Sequence, residues 1–327
     1  MHRSFSTARL IVIATGFALM LAVAAFYHHR ARAVPSVARS DSEAEHIQTN
    51  PIYAEPRQLA TLNDPAVKES SGIVASRTNP GMFWTHNDSG DGPYLYVFDA
   101  KGTRQGVWRV TDARARDWEA IAMGPGPDPG KNYLYIGDIG DNGQRRTEVL
   151  IYRVVEPTIT TSSSLATKRK PIDTDPAEAI RLRYPNGAHN AEALLVHPKS
   201  GDSYIVTKEV FGNPTVFQAK APLNTAEVTT LKDVGRLNIP GLFGGSITDG
   251  SISPDGKRVV LCDYTRGYEL LLPSSSSDFD SIWNVPLVTV SLGRRKQGEA
   301  VTYRLDGRAL LATSEGYPMP IIEIALK

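Results

Sequence analysis

The sequence is poor in the residues that common metal, redox and nucleophilic sites require. It has one cysteine, Cys262, in 327 residues, so no intramolecular disulfide can form and no Cys/His cluster indicates zinc or an iron–sulfur centre. Cys262 falls within an apolar run, where a thiol is usually inert. No GxSxG motif is present, and Gly241–Gly245 (GLFGG) lacks the Lys-Ser/Thr of a phosphate loop. Covalent catalysis therefore has little support.

The chain also lacks an excess of either charge. It has 36 Lys and Arg against 35 Asp and Glu, a formal net charge of +1, which argues against a dedicated nucleic-acid binder. The balance is uneven, because residues 1–33 contain four arginines and no acidic residue. Without these four, 32 basic residues face 35 acidic ones, so the remaining chain is mildly acidic.

One long apolar run is present, and it lies near the N-terminus. Residues 10–26 read LIVIATGFALMLAVAAF and follow Arg3 and Arg9, which is the pattern of an export signal. Ala31-Arg32-Ala33 offers a cleavage site, yet the run approaches the ~18–20 apolar residues that span a bilayer. A cleaved signal peptide and a retained signal anchor both stay open for residues 1–33. Residues 34–54 are predicted to be a linker.

The remaining residues, 55–327, are predicted to form one domain outside the cytoplasm. This domain would be extracellular or attached to the membrane through the N-terminal segment alone. We expect it to be a monomer that does not bind nucleic acid.

One short template recurs five times along this domain. A small polar or acidic residue precedes Gly or Ala and alternating apolar residues, and a turn and further strand-like runs follow. The five copies open at Ser71, Glu119, Glu192, Asp249 and Glu299. Four-stranded units of about 40–50 residues are typical of β-propeller blades. The sequence therefore predicts an all-β propeller of five blades. Six blades are the alternative, because residues 111–190 form the longest repeat, although residues 158–176 resemble a polar insertion.

The fifth unit is short of strands, since Ile321–Ala325 is its last strand-like run. Its missing outer strand is predicted to come from the opposite end of the domain, at Arg57–Leu62 (RQLATL). Such a closure joins the first and last blades and leaves no long exposed edge. The runner-up fold, a pair of β-sandwiches, does not explain a template that recurs five times.

The first strand of each propeller blade lines the central channel, so the five template residues are predicted to converge on one mouth of it. Carboxylates that are close together and desolvated raise one another's pKa, and a hard cation is the simplest group to neutralise them. Ca²⁺ takes about 6–8 oxygen ligands and needs no His or Cys. We therefore predict a calcium site whose ligands are Ser71, Glu119, Glu192, Asp249 and Glu299.

A second set of polar residues falls where the next strand of each unit returns to the same mouth. This predicted outer ring consists of Asn87, Asp88, Asp138, Asp141, Lys208, Asp263 and Glu315. Lys208 can pair with a carboxylate and replace part of the cation charge. His86 and His189 fall beside the mouth, and either could act as a general base. The alternative for each histidine is a hydrogen bond to a loop between blades.

Eight blocks between residues 65 and 327 resemble a family of exported bacterial β-propeller proteins. The blocks are ESSGIVASR, WTHNDSGD, DWEAIA, YIGDIGDN, HNAEALLVHP, TDGSISPDG, QGEAVTY and SEG. The resemblance implies the propeller fold and export, and it implies no particular reaction.

A more distant likeness concerns the template itself. It is similar to the channel-lining strands of gluconolactonase and regucalcin-type lactonases and of paraoxonases, which are six-bladed propellers with a central calcium held by acidic and Asn side chains. The likeness implies calcium at the five template residues. This chain departs from those enzymes in its blade number and in having Ser71 where they have Glu.

Two classes of function follow from this pattern. An exported binding module would use the calcium-occupied mouth to bind a small molecule, a peptide or a glycan. A calcium-dependent hydrolase would act there on a lactone, an ester or a phosphoester. The lack of an evident nucleophile favours the binding module.

Overall fold

Five mainly antiparallel sheets surround a common axis in the computed structural model, which describes residues 52–239 and 244–327. The protein is a five-bladed β-propeller with very little helix, as the repeat predicted. The segment 1–33, and the linker up to residue 51, lie outside the described residues. Within the described part, no helix is both long enough and apolar enough to cross a membrane.

The strands follow the chain in blade order. Strand β1 (Arg57–Leu62) comes first. Blade 1 contains β2 (Ser70–Ala75), β3 (Met82–Asn87), β4 (Tyr94–Asp99) and β5 (Arg104–Thr111). Blade 2 contains β6 (Trp118–Pro125), β7 (Asn132–Asp138), β8 (Val149–Val155) and, after the separate strand β9 (Ile172–Pro176), β10 (Glu178–Arg183).

Blade 3 contains β11 (Ala191–Val196), β12 (Ser203–Thr207), β13 (Thr215–Ala219) and, after the two-residue strand β14 (Thr229–Thr230), β15 (Lys232–Arg236). Blade 4 contains β16 (Asp249–Ile252), β17 (Arg258–Cys262), β18 (Gly267–Leu271) and β19 (Val288–Val290). Blade 5 contains β20 (Gly298–Tyr303), β21 (Ala309–Ser314) and β22 (Met319–Ala325). Two 3₁₀ turns, Thr161–Leu165 and Phe279–Asn284, complete the described elements.

The inner strands of the blades form a closed ring. β2 contacts β6, β6 contacts β11, β11 contacts β16, β16 contacts β20, and β20 contacts β2 again. Small residues permit this close approach: a Cβ at Gly72 would lie 2.9 Å from the backbone nitrogen of Ile121 in the next blade. Five apolar clusters fill the five interfaces between adjacent blades. The core is thus divided among the interfaces, as expected when each sheet buries both faces against its neighbours.

Strand β1 completes blade 5, as the sequence predicted. It pairs antiparallel with β22, with Arg57 opposite Glu323 and Leu62 opposite Met319. The pairing continues further towards the N-terminus than expected, because Ala54 N donates to Ala325 O (2.8 Å) and Lys327 N donates to Ile52 O (2.7 Å). Residues 52–54, which the sequence analysis assigned to the linker, therefore pair with the last strand of the propeller.

Two strands lie on blades other than the one in which the chain order would put them. β9 belongs to the polar insertion of the second unit, yet it pairs parallel with β5 of blade 1. β14 belongs to the third unit and pairs parallel with β10 of blade 2. Between β14 and β15, Leu231 is buried in the cluster between blades 2 and 3, and β14 and β15 lie in different sheets.

Candidate functional site

Four of the five template residues share a backbone feature, the β-bulge. The pairing of the first two strands shifts by one residue at Ser71, Glu119, Glu192 and Glu299. In blade 4, Asp249 pairs with Cys262, and Thr248 N also donates to Cys262 O (2.9 Å). In blades 1, 2, 3 and 5 the template residue is thus the extra residue of the bulge, whereas in blade 4 Thr248 takes that place and Asp249 pairs directly with Cys262. A bulge redirects the side chain of its extra residue. The four bulges can therefore turn the side chains of Ser71, Glu119, Glu192 and Glu299 out of their blades and towards the axis.

Three of the five side chains meet at the mouth, those of Glu119, Glu192 and Glu299. Burial raises the pKa of each of them: well above its usual value for Glu119, to about 7 for Glu192 and to about 8 for Glu299. Glu192 raises the pKa of both Glu119 and Glu299 further by repulsion. Carboxylates from blades 2, 3 and 5 therefore interact across the axis.

Asp88 and Asp117 join Glu119 in a tighter group, which we call the cation cluster. One carboxylate oxygen from each residue lies within 4.8 Å of those of the other two. Glu119 is 3% exposed, and in the described part of the chain no residue hydrogen-bonds to its carboxylate or pairs with it. Gly140 makes room for the cluster, because a Cβ there would overlap Glu119 Oε1 and Asp117 Oδ2.

Lys208 lies among these carboxylates, as the outer-ring prediction allowed. Its Nζ donates to Glu192 Oε2 (2.5 Å) and to Tyr264 Oη (2.6 Å). The positive charge lowers the pKa of Glu119, Glu192 and Glu299 and thereby offsets part of the burial effect. Glu315, also at the mouth, has its pKa raised by burial and by repulsion from Asp88. Lys208 thus compensates Glu192 directly, whereas no basic side chain among residues 52–239 and 244–327 forms an ion pair with the cation cluster.

Asp249 and Ser71 bond to neighbouring blades instead. Asp249 is fully buried, and its Oδ2 accepts a hydrogen bond from Val301 N in blade 5 (2.9 Å). Burial raises its pKa far above the usual value, which favours the neutral acid. Ser71 Oγ donates to the carbonyl oxygen of Glu119 in blade 2 (3.3 Å). Both side chains connect blades, so the predicted five-ligand set is not assembled around one point.

Four outer-ring residues hold turns rather than facing the mouth. Asn87 bonds to the backbone of residues 66, 68 and 69, and Asp138 accepts from Arg146 Nη1 (2.7 Å). Asp141 accepts from Arg146 N (2.7 Å), and Asp263 accepts from Tyr268 Oη (2.6 Å). Asp88, Lys208 and Glu315 act electrostatically on the glutamates of the mouth, and Asp138 raises the pKa of Asp117 by repulsion.

Both histidines contact neighbouring groups of the fold, and His86 is closed off from solvent. His86 is fully buried, its Nδ1 lies 2.9 Å from Asn87 O, and burial lowers its pKa. His189 packs against Tyr184 and Phe217, and its Nε2 lies 2.9 Å from Asn186 Oδ1. The arrangement matches the structural alternative, in which each histidine contacts a loop.

Asp117, Tyr264 and Gly140 were not predicted from the sequence. Asp117 stands two residues before Glu119 and so outside the template. A signal was present in the block DWEAIA, which is the one copy of the template with a second carboxylate in front. Tyr264 offered none, because its role depends on a contact with Lys208 of another unit. Gly140 offered none, because its role depends on how closely Asp117 and Glu119 approach it within blade 2.

Comparison with models of protein families finds none that matches this chain, and comparison with curated proteins finds no relative. The fold and the site define the class of the protein, which is a five-bladed β-propeller with an acidic channel mouth. The resemblance to exported bacterial propellers stays a prediction based on the sequence blocks.

Proposed function

We propose that this protein is an exported binding module whose acidic mouth binds Ca²⁺ through the cation cluster, Asp88, Asp117 and Glu119. The observation that carries the proposal is the state of Glu119. A buried carboxylate without a donor is costly, and this one lies beside two more carboxylates. A hard divalent cation supplies the missing partner, and oxygen ligands are the ones that Ca²⁺ prefers.

The ligand count supports a binding role for the bound ion. Three side chains supply about three to six oxygens, whereas Ca²⁺ takes about 6–8. The remaining positions are open to a ligand that enters from solvent at the mouth. Asp88 and Asp117 are partly exposed, so such a ligand has access to the ion.

Glu119→Gln tests the proposal directly. Glutamine keeps the shape of the side chain and removes its charge, so the variant should fold with a melting temperature, Tm, at least equal to that of the chelated parent. The Ca²⁺-induced rise in Tm should be lost. Differential scanning fluorimetry with EGTA and with Ca²⁺ measures both quantities.

Glu227→Gln is the matched control, because Glu227 is exposed and belongs to the loop between β13 and β14, outside the five template positions. This variant should respond to Ca²⁺ as the parent does. If the parent shows no Ca²⁺-induced rise, or if Glu119→Gln keeps it, the cation cluster does not bind Ca²⁺.

A second function, calcium-dependent hydrolysis, is favoured by Glu192 and Glu299. Burial raises the pKa of these two carboxyls to about 7 and about 8, and general acid–base catalysis is most efficient with a pKa near the working pH. In such a hydrolase, Glu192 and Glu299 rather than His86 and His189 would act as the general acid and base. Chelator-sensitive turnover in a panel of lactones, esters and phosphoesters, lost in Glu299→Gln, would support the hydrolase. Calcium-dependent stabilisation without turnover would support the binding module.

A further inference from the structure

A groove on blade 2 is lined mainly by arginine. Its basic residues come from three separate segments of the chain: Arg114, Arg116, Arg145, Arg146 and Arg181. Asp138 and Glu148 are the acidic residues of its lining. The groove therefore carries an excess of positive charge on a domain, residues 55–327, whose 31 basic and 32 acidic residues almost balance.

Two of the five arginines are neutralised within the groove. Arg146 Nη1 lies 2.7 Å from Asp138 Oδ1 in a buried ion pair, and Arg181 Nε lies 3.1 Å from Glu148 Oε2. Arg114, Arg116 and Arg145 are exposed and form no ion pair with any residue in 52–239 or 244–327. Three guanidinium groups are thus free to bind an anion, and their planar donors match the oxygens of a phosphate group.

The groove and the cation cluster share a wall. Arg146 Nη1 donates to Gly140 O (2.9 Å), while the carboxylates of Asp117 and Glu119 reach across the Cα of the same glycine. Arg116 directly precedes Asp117 in the chain, and Arg116 N donates to Asp138 Oδ2 (3.1 Å). A ligand bound by the arginines is therefore adjacent to the cluster.

We propose that the groove binds the phosphate group of a ligand, and that an oxygen of this phosphate also coordinates the cation held by Asp88, Asp117 and Glu119. The inference rests on the proposed cation site and specifies its ligand. Opposite charges lie side by side here, and a phosphate satisfies both, since it accepts hydrogen bonds from arginine and binds a hard divalent cation. Without the cation, the carboxylates of the mouth repel the phosphate.

The probe for this site is methyl phosphate, titrated calorimetrically into the full-length chain with and without Ca²⁺. Ca²⁺ should tighten the binding of methyl phosphate by roughly tenfold or more, the gain expected from one charge-assisted contact. The double variant Arg116→Gln/Arg145→Gln should lose a similar factor and keep the Ca²⁺-induced rise in Tm. Arg169→Gln, an exposed arginine outside the groove, should bind as the parent does.

The outcomes separate the two proposals. If the parent binds Ca²⁺ but not methyl phosphate, or if the double variant binds methyl phosphate as the parent does, the phosphate site is wrong and the cation site stands. If the parent binds no Ca²⁺, or if Ca²⁺ leaves the affinity for methyl phosphate unchanged, the shared site is wrong. Acetate in place of methyl phosphate tests the ligand class, and equal affinity for acetate would overturn the choice of phosphate.

Discussion

At the scale of single residues, carboxyl groups of the acidic mouth keep their protons to a higher pH than exposed carboxyl groups do. The pKa of Glu192 and of Glu299 is raised from 4.5 to about 7 and about 8, mainly by burial. The charged groups that act on Glu299 are Glu192, Glu315 and Lys208, and Gln297 donates to it at 2.8 Å. The folded protein therefore holds protons that the unfolded chain has already released, and folding takes up protons between about pH 4.5 and pH 8.

The first prediction follows from the sign of this uptake. When the folded state binds more protons than the unfolded state, stability falls as the pH rises. We expect the Tm of the calcium-free protein to decrease from about pH 5 to about pH 8, and to decrease less in Glu299→Gln. Scanning fluorimetry over a pH series, after removal of Ca²⁺ by EGTA and dialysis, measures this. A Tm that is constant or rises over that range would contradict the raised pKa values of Glu192 and Glu299.

Calcium should change the same curve. Ca²⁺ competes with the proton for the carboxylate of Glu119, whose pKa burial raises well above its usual value, so the stabilisation by Ca²⁺ should grow with pH over this interval. The difference in Tm with and without Ca²⁺, followed over the same series, tests the coupling. If the difference in Tm shrinks as the pH rises, the bound ion does not lie at the carboxylates of the cation cluster.

The sequence predicts part of this site and misses the rest for a physical reason. The positions of Glu119, Glu192 and Glu299 could be read because each opens a repeated pattern of small and apolar residues. The same pattern includes Asp249, whose oxygen instead accepts from Val301 N. Which carboxylate meets a backbone donor depends on the fit between neighbouring blades, and that fit is not encoded in any single repeat.

At the scale of elements, strand exchange between blades connects the ring at its periphery. β9 pairs with β5 at Trp108–Ile172 and Arg109–Asp173, so the insertion of the second unit protects an edge of blade 1. The sequence indicated an insertion at 158–176 because the segment is polar. It could not indicate the partner, since a short polar strand fits the exposed edge of any sheet.

Removing this insertion should therefore weaken the blade before it. β8 and β10 are antiparallel neighbours with Arg153 opposite Glu178, so a short Gly/Ser linker can replace residues 158–176. Hydrogen–deuterium exchange should then rise in β5, which loses its outer partner. β8 is the internal control and should stay protected, because it keeps β7 and β10 on its two sides. Faster exchange in β8 than in β5 would show that the insertion supports its own blade instead.

At the scale of the whole molecule, the ring depends on a junction between distant parts of the chain. β1 is the outer strand of blade 5, and Leu62 is packed in the same cluster as Met319 and Ile321. The five-fold repeat predicted this closure, because the last unit was one strand short.

A chain that begins at Asn63, and so lacks β1, should therefore be less stable than a chain that begins at Ile52. Loss of β1 leaves the edge of β22 exposed and uncovers buried apolar side chains. We expect a loss of at least about 3 kcal/mol in the free energy of unfolding, comparable to the loss of one large core side chain, together with aggregation. Urea unfolding and light scattering of the two chains provide the comparison. Equal stability would mean that β1 contributes little to the closure.

The closing strand also sets the order of events during synthesis. Arg57 and Glu323, which pair across the junction, are 266 positions apart in the chain, so β1 leaves the ribosome long before β22 exists. A product that stops before Met319 has unpaired sheet edges on both sides of the gap, and such edges invite aggregation and proteolysis. Only a full-length chain covers both sheet edges. A prematurely terminated chain exposes them to the quality-control machinery of the cell.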